Sequence, residues 1–341
     1  MALSLRRKCA PCLLLALALA LGACSGKDSG GGPSGAGPEA PPTVPAPLTG
    51  LQVARELATR PAVSVKVDNT DQARGIQAGI DRADLIFEEK VEGTFTRLVA
   101  VFQSEDADLI GPIRSLRTTD PAIVSPLGGV FAFSDAAEIA LRSIRGAPVK
   151  AVYEQQSQAP FVFPPGHRRP FATYASSARL RAEAGERNKP PPAFATFLGP
   201  GEPFQPQAPP AVKAAVSFGP RTTAGLDWDP AGSRWLRSTN GRPQTVQGGG
   251  QLAFTTVIVQ KVNYRPVGYS DSAGNPVDEA VLVGSGDAVV LSQGRQVAAR
   301  WSKSSPTSVT SYTDPAGQPL RIPPGKTLVL LPPVGAALTI S

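Results

Sequence analysis

Seven polar side chains between residues 68 and 117 are of types that do chemistry together: Asp68, Asn69, Glu88, Glu92, Arg97, Arg114 and Arg117. Arginine forks converging from three places suit a carboxylate or a phosphate, because the planar guanidinium matches either group two bonds at a time. Asp68, Asn69 and the two glutamates would orient such a group or bind a cation. The carboxylates also raise acid–base catalysis. If residues 84–93, DLIFEEKVEG, form a strand, Ile86, Glu88, Lys90 and Glu92 share one face and Leu85, Phe87, Glu89 and Val91 the other. The apolar second face points to a core and leaves Glu89 near an edge. Glu88 and Glu92 would stand about 13 Å apart, twice the two-residue spacing of a strand, which is too far for a glycosidase pair. A hydrolase would need Asp68 or Glu88 as base and a carboxylate of raised pKa beside it. The same charges can also close on one another, with the arginines paired to Glu88, Glu92 or Asp84 at the rim of a sheet, where ion pairs contribute little.

Other chemistries find less support. Cys9, Cys12 and Cys24 all lie in the first 24 residues, and His167 is the single histidine. Metal sites built from several Cys or His ligands are therefore excluded, and no cofactor is implied. His167 sits in the loop PPGHRRPF, where a solvated role is the ordinary one. VLVGSGDAVV lacks the Lys-Ser or Lys-Thr of a phosphate loop and reads as a hairpin turn. Trp228, Trp235 and Trp301 are spaced as core or rim residues among strands.

The elements that would position the seven residues follow from hydrophobic period. Val63, Val65 and Val67 alternate in a half-buried strand that ends at Asp68-Asn69. Residues 97–103, RLVAVFQ, form a further strand that folds back on residues 84–93 around Gly93, bringing Arg97 opposite the glutamates. Arg114 and Arg117 meet only if IRSLR is helical or tightly turned. Asp120 with Pro121 opens a short helix, Ser134 to Glu138 resembles a capping box, and Ser176 or Ser177 starts a last helix ending at Gly185. Residues 188–212 are Pro-rich and either link two domains or wrap the surface. From 213 to 341 short strands alternate with turns such as Asn240-Gly241 and Gln293-Gly294. The expected class is α+β: a mixed α/β domain at 50–187, then a mostly antiparallel β domain at 213–341.

The chain opens with Arg6, Arg7 and Lys8, an apolar run over 13–21, and LGAC ending at Cys24. This is the pattern of a bacterial lipoprotein signal over residues 1–24, with Cys24 as the lipidated residue. A Gly/Ser/Pro tether is expected over 25–49. Three of the +7 formal charges leave with the leader, and the remaining +4 is too small an excess to point to nucleic acid. Few lysines among many Ala, Pro, Arg and Gly suit a high-GC bacterium.

Residues 60–117, from RPAVSVKVDN through ADLIFEEKVEGTFTRLVAVFQ to IGPIRSLR, resemble the N-terminal half of the YerB-like bacterial lipoproteins, the DUF3048 family. TTVIVQ, GSGD, ARWSK and DPAGQPLRIPPGKT resemble its C-terminal half. Where many relatives carry P-H-N-x-Y, this chain has Pro170-Phe171-Ala172-Thr173-Tyr174, and a Gly-Gly-Ser-like turn stands as Phe133-Ser134-Asp135. The resemblance implies a two-domain protein anchored on the outer face of the cytoplasmic membrane through lipid on Cys24, and no particular reaction. The expected role is non-catalytic: an anionic envelope ligand or an envelope protein held in a polar cleft of the first domain. A cell-wall or glycan hydrolase and a protein-assembly factor are the alternatives.

Overall fold

A ten-stranded sheet runs through the molecule and takes strands from both ends of the chain. The computed structural model describes residues 42–271 and 274–341. The leader, Cys24 and the tether up to residue 41 lie outside the described residues. Five strands of the large sheet come from the first segment: Val63–Asp68 (β1), Leu85–Lys90 (β2), Thr96–Phe102 (β3), Val130–Phe133 (β4) and Lys150–Tyr153 (β5). A second, smaller sheet contains Lys213–Gly219 (β6), Thr222–Asp229 (β7) and Arg234–Thr239 (β8). The second segment then adds Thr256–Gln260 (β9), a separate hairpin of Asn263–Ser270 (β10) and Pro276–Val281 (β11), and Gly284–Ser292 (β12), Arg295–Lys303 (β13), Ser311–Thr313 (β14) and Thr327–Leu331 (β15). The order across the large sheet is β14-β13-β12-β9-β15-β2-β3-β1-β4-β5.

The contact between the segments is a parallel pairing in mid-sheet, with Thr327 opposite Leu85 and Leu330 opposite Glu88. The two segments therefore do not make separate sheets: β15, near the end of the chain, completes the sheet beside β2. Sheet dominates the fold and most pairings are antiparallel, while β1, β4 and β5 run parallel to one another. Among the described residues the helices are short and lie in the first segment, including Asp120–Val124 (α1), Glu138–Ile144 (α2) and Ser177–Ala182 (α3). No helix among the described residues is long and apolar enough to cross a membrane.

Both faces of the large sheet are covered, which changes the expectation for its strands. Val63, Val65, Val67, Ile86 and Leu98 pack in one core with Val216, Phe218, Leu226 and Trp235 of the small sheet. Leu85, Val99, Val101, Phe131 and Phe133 pack in a second core with Ile123, Val124 and Leu127 around α1 and with Ala140 and Ile144 of α2. All six residues of β1 are buried, Ser64 and Lys66 included. A strand read as half-buried is thus sealed on both faces, as central strands of layered sheets are.

The Pro-rich segment 188–212 wraps the surface: Phe194, Leu198 and Phe204 are buried in the second core, and Thr196–Phe197 pairs with Arg321–Ile322. The end of the expected tether also belongs to the fold. Thr43–Pro45 pairs with Gln52–Ala54, and Leu48 and Thr49 are fully buried. Asn240-Gly241 and Gln293-Gly294 each carry two positive φ angles, the geometry of tight two-residue hairpins. In VLVGSG, Gly284 to Gly286 already belong to β12, and the connection before it is Leu282-Val283. Gly129 has φ +68° and a Cβ there would lie 2.1 Å from the Ala62 carbonyl oxygen, so only glycine lets β4 enter beside β1.

Candidate functional site

The parallel strands β1, β4 and β5 and the neighbouring β2 all end on the same edge of the sheet, and a cavity of about 990 Å³ opens there. Ligands of open α/β sheets bind at this edge, because the loops leaving the strand ends diverge while the sheet holds their roots fixed. Each wall comes from one loop. Val91 and Glu92 follow β2, Thr70 follows β1, Ser134 and Asp135 follow β4, and Glu154 and Gln155 follow β5. Arg97 enters from the start of β3, Arg114, Ser115 and Arg117 from the segment after Pro112, and Arg169, Pro170 and Thr173 from the loop before α3. The hairpin β10–β11 supplies Tyr269, Ser270, Asp271, Asn275 and Val277. The cleft is therefore not confined to the first segment.

The wall charges are organised around Glu92. It folds back at the β2–β3 turn, where Gly93 and Thr94 take positive φ. Arg117 donates from Nε to its Oε2 (2.8 Å) and from Nη2 to its Oε1, while Arg97 Nη2 donates to the same Oε1 (3.1 Å). One carboxylate thus serves two buried guanidinium groups. Burial pushes the Glu92 carboxyl up, but the hydrogen bonds of Arg117 and the charges of both arginines outweigh it and hold it down at about 2. Burial, with Arg117 as like-charged neighbour, lowers Arg97 to about 10. Burial raises the Tyr269 hydroxyl, against the pull of Arg117.

Arg114 is the more open cation. Its Nε lies 2.7 Å from Asp68 Oδ2, its Nη1 donates to the Pro170 carbonyl (3.3 Å), and its guanidinium stands 5.6 Å over the Phe171 ring. Phe171 thus supports Arg114 through a cation–π contact. Asp68 is 1 % exposed, so it pairs with Arg114 from behind the cleft wall. Residues 114–117 are irregular, not helical. Arg114 N–H donates to the Lys66 carbonyl (2.9 Å) and Leu116 N–H to the Asp135 carbonyl (2.9 Å), fixing the segment between the ends of β1 and β4. Asp135 Oδ1 accepts from Ala136 N–H (2.6 Å) and does not cap α2, so the expected capping box is absent. Asp120 likewise does not cap its own helix. Its Oδ2 accepts the Arg117 N–H (2.7 Å) and its Oδ1 the Lys66 ammonium (2.5 Å).

Four of the seven predicted residues, Glu92, Arg97, Arg114 and Arg117, meet in the cleft. Asn69 and Glu88 do not. Glu88 Oε1 accepts from Asn69 (3.2 Å) and Thr96 (2.9 Å), and its Oε2 accepts from Arg237 Nη2 of β8 (2.7 Å). Gln244 donates to Asn69 Oδ1 (2.9 Å). This network is sealed between the sheets because the face of β2 that carries Glu88 packs on the small sheet. Glu89, expected near an edge, is fully buried against Lys66 and Asp120. Burial raises its pKa to about 7 despite Lys66. The carboxylates that burial raises, Glu89 and Asp84, do not line the cleft. A general base at Glu88, or an acid of raised pKa beside it, has no place in this geometry. No cluster of metal-ligating residues occurs among the described residues.

Sequence reasoning missed Ser134, Asp135, Glu154, Arg169 and Tyr269. Glu154 is 6 % exposed, accepts from Arg169 Nη2 and takes a hydrogen bond from Thr173 Oγ1 (2.7 Å). The available signal was positional: FAFSD and AVYEQ each turn polar immediately after an apolar strand. His167 packs edge-on to Tyr174, 5.3 Å between centroids, and does not line the cleft. Trp235 and Trp301 are buried, and Trp228 lies tilted against Trp235 with 5.4 Å between ring centroids.

Residues 48–190 match the family model described as "Protein of unknown function (DUF3048) N-terminal domain", and residues 214–329 match that of the DUF3048 C-terminal domain. The chain is 38 % identical over 109 residues to "Putative lipoprotein YerB" of Bacillus subtilis (strain 168); the match covers 32 % of this chain and 30 % of that protein. The crystal structure of the YerB protein from Bacillus subtilis superposes with a TM-score of 0.73 at 19 % identity, covering 87 % of this chain and 99 % of that one, a likeness of fold.

Proposed function

This chain belongs to the DUF3048 family, and we propose that it is a lipid-anchored envelope protein that binds an anionic ligand in the cleft at the strand ends. The observation that carries the reading is the sharing of Glu92. Arg97 and Arg117 both pair with this one carboxylate, so two guanidinium charges share one negative charge at this point of the wall, although over the whole lining Arg97, Arg114, Arg117 and Arg169 stand against Glu92, Asp135, Glu154 and Asp271. An incoming carboxylate or phosphate would restore the balance, with Arg114 at the more open position as its first contact. Anchoring rests on the leader ending at Cys24 and on the printed name of the Bacillus relative.

Binding is favoured over hydrolysis by the three carboxylates that the sequence singled out. Glu92 is held ionised by two arginines, Asp68 is buried against Arg114, and Glu88 lies outside the cleft. A hydrolase needs a proton donor near the reacting bond, and none of these is placed to act as one.

The test is thermal unfolding of the protein against a panel of anionic envelope compounds. A ligand that binds the folded state raises the midpoint. Arg114→Ala alone would orphan the buried Asp68, so the informative variant is Arg114→Ala with Asp68→Asn, which keeps the Thr70 N–H bond to the Asp68 Oδ1 position (2.7 Å). The reading expects a midpoint shift with wild type that disappears in the double variant. Equal shifts in both, or none with any anion, would reject it.

A further inference from the structure

Five cationic side chains are buried among the described residues: Lys66, Arg97, Arg117, Arg237 and Lys303. Four of them have carboxylate partners, Lys66 with Glu89 and Asp120, Arg97 and Arg117 with Glu92, and Arg237 with Glu88. No such ion pair is made by Lys303 within the described residues. Lys303 is 4 % exposed and is the last residue of β13, and its ammonium donates to the Ser308 backbone carbonyl. An ammonium has three donors, and a carbonyl dipole does not neutralise its charge. Burial lowers the pKa of Lys303 to about 8, which leaves the ammonium predominantly protonated at neutral pH.

A void of about 30 Å³ lies against this group, lined by Lys303, Gln260 and Thr310 together with Phe87, Ile123 and Leu331. It shares no lining residue with the cleft. The Gln260 side-chain oxygen is already taken by the Tyr312 hydroxyl (2.7 Å), so its amide contributes N–H donors. The space is that of one water or one small ion. A phosphate or sulfate is too large and brings two charges to meet one. Chloride or bromide matches the single charge, is small enough for the space and costs far less to strip of water against an apolar wall than a divalent oxyanion.

We propose that this void is a site for a small monovalent anion of halide size, held by the Lys303 ammonium with the Gln260 amide beside it. The ion would complete the charge balance that carboxylates supply for the other four buried cations. It would also hold the 304–308 loop, whose Ser305 and Ser308 hydroxyls bond each other (2.8 Å) and whose Ser308 carbonyl closes on Lys303.

The experiment uses bromide on the whole protein. Crystals soaked in bromide should show an anomalous peak in the void beside Lys303 Nζ. In solution at fixed ionic strength, replacing sulfate by bromide should raise the unfolding midpoint of wild type relative to Lys303→Met by about 3 °C, the shift of an anion tenfold above its Kd. Sulfate stabilises folded proteins in general by exclusion, so a relative gain in bromide runs against the background trend. Bromide peaks confined to surface cations, with water in the void, would overturn the proposal. So would the same bromide response in wild type and Lys303→Met. Should Lys303→Met not fold, the peak in wild-type crystals decides.

Discussion

Glu88 and Glu92 lie four residues apart, yet one is in the core and the other on the cleft wall. Glu88, inside β2, is sealed with Asn69, Thr96 and Arg237 between two sheets, and each oxygen has a partner. Glu92, just past the strand end, is ringed by more positive charge than it can neutralise and faces a cavity. The lesson concerns balance and position. In the interior a charge is tolerated when its donors and acceptors match. At the strand end two arginines share the Glu92 carboxylate, and that uneven pairing is what the proposed anion would use. Asp68, at the last position of β1, stands between the two regimes: buried, but paired with the cation that opens to the cleft.

The largest effect expected from this contrast is in the sealed network. Arg237→Ala leaves the buried Glu88 without its cationic partner, which costs about 3–5 kcal/mol and shows as a much lowered unfolding midpoint. Combining Glu88→Gln with Arg237→Met removes both charges and should recover most of that loss. A double variant as unstable as Arg237→Ala would contradict the view that the pair is a matched burial. Glu92→Gln is expected to cost less, about 2 kcal/mol, because the freed guanidinium groups face a wet cavity. It should enlarge the midpoint shift given by anions, since the wall gains net positive charge. If anion binding weakens instead, Glu92 is itself a ligand contact.

The pH response separates the two regions further. The Glu92 pKa, near 2 in the fold and 4.5 ordinarily, means that stability from this site is present above about pH 4.5 and lost as pH falls toward 2. Glu89 has the opposite sign. With a folded pKa of about 7, the folded state binds more protons than the unfolded one between pH 4.5 and 7, so stability declines as pH rises through that window. Glu89→Gln should flatten the decline in midpoint from pH 4.5 to 7 and leave the acid limb in place. An unchanged slope would mean that Lys66 holds Glu89 ionised throughout. The smallest effect is expected at the rim. Arg169 is 69 % exposed, and its pair with Glu154 is backed by Thr173. Arg169→Ala should barely move the midpoint yet weaken anion binding in proportion to its place on the cleft wall.

Much of the fold could be read locally. Strand period located β1, β2 and β3, and Gly93 marked the turn that sets Arg97 opposite Glu89. Asn-Gly and Gln-Gly announced two hairpins. Local reading failed where polar residues were assumed to face solvent. Lys66, Glu88, Glu89 and Asn69 are all buried, because a second layer covers each face of the sheet and supplies the partner: Arg237 from β8 for Glu88, Asp120 from α1 for Lys66.

The sequence by itself determined the local geometry of this protein: which runs extend, where they turn, and which residue types could recognise an anion. Period, glycine placement and side-chain chemistry are short-range properties. The tertiary structure alone decided which charges balance. That β15 joins β2 in mid-sheet, that the small sheet seals Glu88, and that four strand ends open one cleft around Glu92 depend on contacts between residues far apart in the chain. Electrostatic pairing is set by distance in space and by the water excluded around it, and neither is written along the chain.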